Sequence, residues 1–257
     1  MSLTHCVQMV AQGDPDRHAV ARAASDAAQA RLYPLYALNL EIARAAWAST
    51  EPLVCEMRLQ WWADALEALG QGGTVPPHPV LEACGFLRGD AAAAEGLAGL
   101  IEARRRDVWA EPFADADALW AHLGATGGAL MWLAARALGA DPQAEPVVRG
   151  FGTGAALAAW LQAVPALMAQ GRQPLPDPGP GAVSDLALEG IGRIAFARAR
   201  RRLVPRAALA ALLTGAWAGA VLGLAVREPE RVAAGRLAPS EFARRGALAW
   251  RGLTGLW

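Results

Sequence analysis

Gly150–Pro176 reads GFGTGAALAAWLQAVPALMAQGRQPLP, and the distribution of polar groups along it decides the fold. Ala155, Ala158, Ala159, Leu161, Ala163, Ala166 and Met168 leave almost no polar face, so a helix here has to be surrounded by other helices. It reads as the central helix of a bundle. Gly150, Gly152 and Gly154 would let neighbouring backbones approach closely, Pro165 should kink or break the helix, and Gly171 followed by a proline-rich loop should end it.

The rest of the chain agrees with a helical protein. Of 257 residues, 54% are hydrophobic, against roughly 45–50% in an average domain, and alanine dominates. Tyrosine, phenylalanine and β-branched residues are sparse and no clear period-two alternation appears, so the expected fold class is all-α. No linker separates two cores, which predicts one domain over residues 1–257. The 24 acidic and 24 basic residues cancel, and nucleic acid is not an expected partner. Arg104-Arg105-Arg106 and the run Arg198, Arg200, Arg201, Arg202 are the densest basic patches, each expected as a solvated helix end. Cys6, Cys55 and Cys84 have no CxxC spacing, and no cationic segment with an apolar core opens the chain, which points to a cytoplasmic location. His5, His18, His78 and His122 are scattered, so no metal site is expected from them.

Helix boundaries follow from caps and breakers. Asp14-Pro15 and Ser25 open two helices, the second running through Ala46 with a bend expected at Pro34. Glu51-Pro52 begins a third, EPLVCEMRLQWWADALEAL, closed by Gly70. Asp90, Asp115 and Ser240 cap later helices, and Gly127-Gly128 predicts a kink or a close backbone contact. Ala207 to Val226 carries no charge. That length could span a bilayer, but its alanine and glycine content favours a helix buried in the core. In all, roughly eight to ten helices are expected.

Two segments resemble the signatures of the squalene/phytoene synthase family. The exit Gly171, Arg172, Leu175, Pro176 is similar to the family's Gly-Arg-x-Tyr-Leu-Pro. In register with it, Ala159, Gln162, Ala163, Ala166 and Leu167 stand where the family has Asn, Arg, Asp, Glu and Asp. Tyr36-Ala37-Leu38 likewise resembles the start of the first signature, placing Ala43, Arg44 and Trp47 at its three acidic positions. The family's aspartates hold the magnesium ions that neutralise a prenyl diphosphate, and neither alanine, leucine nor tryptophan can ligate a hard cation. The segment Glu56-Met57-Arg58-Leu59-Gln60-Trp61-Trp62 resembles a family subgroup that also lacks the aspartates and includes the mitochondrial complex I assembly factor.

The resemblance implies an isoprenoid-synthase-like bundle of helices around an apolar central cavity. It also implies a protein without catalytic or metal-ligating residues and without a cofactor, which binds a lipid, an isoprenoid or a protein client, including a role in respiratory complex assembly. Peripheral contact with the inner membrane surface belongs to the same expectation. The alternative is an active prenyltransferase that holds magnesium through other acids, Glu41, Glu56, Asp64 and Asp107. Candidate ligand or client contacts are Glu41, Arg44, Arg58, Gln60, Trp61, Trp62 and Arg172. Glu41 and Arg44 lie three residues apart, so a plain surface ion pair competes with a ligand role. Arg58 lies four residues before Trp62, close enough to stack on that ring, and of the adjacent tryptophans one should pack in the core and one reach the rim.

Overall fold

The computed structural model describes residues 2–257, except for the side chains at 241, 242 and 245. The chain divides into two compact units, Met1–Trp109 and Ala110–Trp257. No strand occurs among the described residues.

The first unit contains α1 (Ser2–Gly13), α2 (Pro15–Arg22), α3 (Asp26–Ala45), α4 (Pro52–Gly70), α5 (Pro79–Ala83) and α6 (Ala91–Trp109). Its boundaries are chemical. The Asp14 carboxylate accepts from the Arg17 amide at 3.0 Å, Ser25 Oγ from the Ala28 amide at 3.4 Å, and Asp90 from the Ala93 amide at 3.0 Å, each satisfying a donor that a helix start leaves unpaired. Pro34 is carried inside α3, which continues through it. Helix α4 buries Cys55, Leu59, Trp62, Leu66 and Leu69, a stripe at helical spacing, and packs against α6. Gly70 makes that approach possible, since a Cβ there would lie 2.3 Å from Ala94 Cβ. Cys6 and Cys84 are buried and free, and burial pushes the Cys6 thiol up to about 11, so it stays protonated and inert at neutral pH.

The second unit contains α7 (Ala116–Leu123), α8 (Ala129–Ala137), α9 (Glu145–Ala169), α10 (Pro180–Ala199), α11 (Leu209–Leu213), α12 (Ala218–Arg227), α13 (Glu230–Ala233) and α14 (Glu241–Thr254). These exceed the expected number of helices because α1 and α13 carry too little pattern to be read from sequence, and because the 115–138 and 207–226 stretches, each read as one helix, are divided into α7 and α8 and into α11 and α12. Helix α9 is the centre, packing against α8, α10 and α12 with Phe151, Leu157 and Leu161 fully buried. Gly152 faces Gly128 and Gly154 faces the Gly190 carbonyl, where added Cβ atoms would lie at 3.1 and 2.9 Å. Gly150, by contrast, has open space around it and serves no such contact. Between α7 and α8, Gly124–Gly128 forms a π-helical turn, the form taken by the break expected at Gly127-Gly128.

The helix does not break at Pro165 but runs on to Ala169. Gly171 ends it, with φ +77°, through a reciprocal pair of bonds: Arg172 N donates to Leu167 O at 3.1 Å and Gly171 N to Met168 O at 2.9 Å. A side chain at this left-handed position costs roughly 1–2 kcal/mol. Gly171→Ala is therefore expected to lower the unfolding free energy by about that amount in urea titration, and an unchanged midpoint would show that the cap is dispensable.

The uncharged stretch Ala207 to Val226 is not one helix. It breaks at residues 214–217 into α11 and α12, which are bent by 41°. Thr214 Oγ1 bonds back to Ala211 O at 2.8 Å, and Gly215 sits against Phe151 and Ala155 of α9, where no side chain fits. Packing against α9 wins over helix continuity. By length and composition the segment Pro142–Ala169 could also cross a membrane, with mean hydropathy 1.3, but its apolar side chains are the core of this unit.

Candidate functional site

Residues of α3, of α4 and of the turn between them line, together with His78, a pocket of about 630 Å³: Glu41, Arg44, Ala45, Trp47, Ala48, Arg58, Trp61, Trp62 and His78. Five of the seven candidate residues meet here: Glu41, Arg44, Arg58, Trp61 and Trp62. The volume lies within the range of small-molecule sites, roughly 300–1,000 Å³.

The aromatic wall is built on α4. Trp62 is 5% exposed and Trp61 40%, so one ring packs inward and its neighbour stands at the rim, as about 100° of rotation per residue requires. The two rings meet edge to face at 4.9 Å, and His78 closes the cluster at 5.8 Å from Trp61 and 5.0 Å from Trp62. The ring of His78 is fixed because its Nδ1 accepts from the Val80 amide at 3.2 Å, capping α5. Trp47 joins from the end of the α3 turn. Sequence reasoning missed His78 and Trp47 as pocket residues. A histidine before a proline-opened helix carries no signal of which pocket it faces.

The charged wall corrects two expectations. Among the described residues Glu41 and Arg44 form no ion pair, and Arg58 makes no stacking contact with Trp62, whose ring meets Trp61 and His78 edge to face. The Arg44 guanidinium lies instead beside Gly13, 3.0 Å from where a Cβ would be, at the C-terminal end of α1, where a cation is favoured by the helix dipole. Among the described residues, Glu41, Arg44 and Arg58 have no hydrogen-bond or ion-pair partner. The pocket thus offers two uncommitted guanidinium groups against one carboxylate.

Gln60 and Arg172 do not belong to this pocket. Gln60 points along the α4–α6 seam, donating to Asp64 at 2.7 Å and accepting from Arg105 at 2.7 Å. On a helix, residue 60 lies about 200° from residue 58, so it faces the opposite side. Arg172 lines a separate cleft of about 410 Å³ in the second unit, between the end of α9, the 173–180 loop and α13. The loop is held over α9 by Trp160 Nε1, which donates to Pro174 O at 2.8 Å.

The remaining acids near the first signature are engaged. Glu56 pairs with Arg105 and accepts from Trp109 Nε1 at 3.1 Å, Asp64 accepts from Gln60, and Asp107 pairs with Arg104 at 3.0 Å. On α9 the single carboxylate is Glu145, bonded to Arg149 at 2.6 Å. No group of three or more His, Cys, Asp or Glu among the described residues is placed to hold a metal ion. This donor set does not fit magnesium, which demands near-octahedral oxygen ligation. In the first signature itself, Tyr36 is fully buried with its hydroxyl lacking a hydrogen-bond partner among the described residues. Burial pushes its ionisation up, against the opposing pull of the Arg17 charge over its ring.

The family described as squalene/phytoene synthase matches this chain over residues 10–241. The chain belongs to the squalene/phytoene synthase family. Among solved structures it is similar to a dehydrosqualene synthase in complex with ligand, with TM-score 0.77 and 12% identity over 100% of this chain and 97% of that one. It is also similar to squalene synthase HpnC from Alicyclobacillus acidocaldarius, with TM-score 0.70 and 17% identity over 89% of this chain and 94% of that one. The fold is therefore the all-α isoprenoid synthase fold, as the resemblance implied. No curated protein sequence matches the chain.

Proposed function

We propose that this family member is a noncatalytic binder of an anionic isoprenoid or lipid, in which Arg44 and Arg58 supply directly the positive charge that the family's enzymes draw from magnesium. The observation that carries the reading is the pair of partnerless arginines facing an aromatic wall in one pocket. A guanidinium fork suits phosphate or carboxylate oxygens, and Trp47, Trp61 and Trp62 offer apolar area to the chain of an amphiphile. Prenyl transfer through Glu41, Glu56, Asp64 and Asp107 is the weaker reading, because three of these acids already hold arginine or amide partners.

A protein client is the second reading, and a separate observation favours it. Leu53, Met57 and Trp61 are 71%, 65% and 40% exposed at i, i+4 and i+8 of α4, a stripe that leads to the pocket rim. The resemblance of this helix to the complex I assembly factor makes a respiratory complex subunit the client to try first.

Calorimetric titration with farnesyl phosphate and farnesyl diphosphate, with and without magnesium, tests the reading. Binding is expected without the metal and should weaken at least tenfold in Arg44→Gln/Arg58→Gln, whose melting temperature should match that of the parent because both side chains are exposed and partnerless. Binding that needs magnesium, or release of diphosphate from farnesyl diphosphate, would overturn it in favour of prenyl transfer.

A further inference from the structure

At the C-terminal end of α10 the second unit gathers positive charge. Between Glu189 and Glu228 the sequence contains no acid, while Arg198, Arg200, Arg201, Arg202 and Arg206 fall within nine positions. Arg200, Arg201, Arg202 and Arg206 have no carboxylate partner among the described residues. Arg200, Arg201, Arg202 and Arg206 are exposed, the last three on the two single-turn 3₁₀ segments Arg201–Leu203 and Arg206–Ala208. A solvated helix end, the plain reading of such a run, leaves two facts unexplained.

The first is that the charges surround exposed apolar side chains. Phe196 is 55% and Leu203 47% exposed, and the Arg200 guanidinium lies 3.5 Å from the centre of the Phe196 ring. The second is that the segment after α14 is held against this end of α10. Arg198 Nε donates to Trp257 O at 2.7 Å, pinning the segment after α14 to this place, and Leu256 beside it is 41% exposed. Burial, with a smaller contribution from the Arg251 charge of α14, makes Arg198 hold its proton less firmly, and Arg198 Nη2 is buried without a partner among the described residues. A fold that concentrates cations here, against their mutual repulsion, presents them to an anion outside the protein.

We propose that this end of the second unit is a docking surface for an anionic lipid bilayer. Phe196 and Leu203 enter the headgroup layer, and Arg200, Arg201, Arg202 and Arg206 contact the phosphates. Interspersed apolar and basic side chains match a membrane interface, where both apolar burial and charge contribute. A nucleic acid would use aromatic faces for base stacking, and the Phe196 face is already covered by Arg200. The surface lies wholly in the second unit and uses none of the residues of the Arg44–Arg58 pocket, so it stands or falls independently of the ligand reading.

The test is co-sedimentation of the whole protein with vesicles of phosphatidylcholine alone or mixed with phosphatidylglycerol. Binding is expected only to the mixed vesicles, with loss as salt is raised. Arg201→Gln/Arg202→Gln should weaken it roughly 30-fold, about fivefold per arginine, and Leu203→Ser should weaken it without changing its salt dependence. All three side chains are exposed, so unchanged melting temperatures are expected alongside. Equal binding to both vesicle types, undiminished binding by the double arginine variant, or binding to RNA in place of vesicles would overturn the proposal.

Discussion

Trp62→Ala should destabilise the protein by about 3–5 kcal/mol, the usual cost of truncating a large core aromatic. The ring is 5% exposed, and it is held by edge contacts to Trp61 and His78 that add to its area burial. It also sits in the buried stripe of α4 between Leu59 and Leu66, so its loss opens a cavity on the core side as well as widening the pocket. Trp61→Ala removes a ring that is 40% exposed and should cost far less stability while still weakening ligand binding. Urea unfolding of both variants separates the two roles. If Trp62→Ala cost under about 1 kcal/mol, the pocket wall would not be part of the core.

A second large effect is expected where the π-helical turn meets α9. Gly127→Ala would place its Cβ 2.4 Å from Ala156 Cβ, far inside contact distance, and that neighbour is the first atom of a side chain and has no rotamer to move. Overpacking of this kind typically costs about 1–3 kcal/mol. Removing the obstacle should restore much of the loss: with Ala156→Gly the next atoms lie at 3.5 and 3.7 Å, ordinary contact distances. Ala156→Gly alone should cost roughly 0.5–1 kcal/mol as a helix-interior glycine. The double variant Gly127→Ala/Ala156→Gly should then be more stable than Gly127→Ala alone, a coupling that two independent backbone effects would not produce. Additive losses in thermal unfolding would place the strain in the π turn itself and remove the packing argument.

The sequence by itself determined the all-α class and most helix starts. Asp14, Ser25, Asp90, Asp115 and Ser240 each cap the helix they were expected to cap, because a cap involves a side chain and an amide within three residues and needs nothing from the rest of the fold. The exit at Gly171 was legible for the same reason. The family, too, was legible in short segments such as Gly171-Arg172 with Leu175-Pro176, because such signatures depend on residues close in sequence. Arrangement across elements was decided only by tertiary structure. The 41° bend between α11 and α12 arises where Phe151 of α9 presses on Gly215, a contact between residues far apart in sequence, so an uncharged run that read as one helix became two. Glu41 and Arg44 had the spacing of an ion pair, but Arg44 found the end of α1 instead, a helix with no sequence cap to announce it. His78 entered the pocket because α5 orients it against Trp61 and Trp62 of α4. Gln60 left the candidate site because Arg105 of α6 holds it on the opposite face. Local hydrogen bonding selects helices, and the packing of side chains between helices selects which of their residues share a pocket.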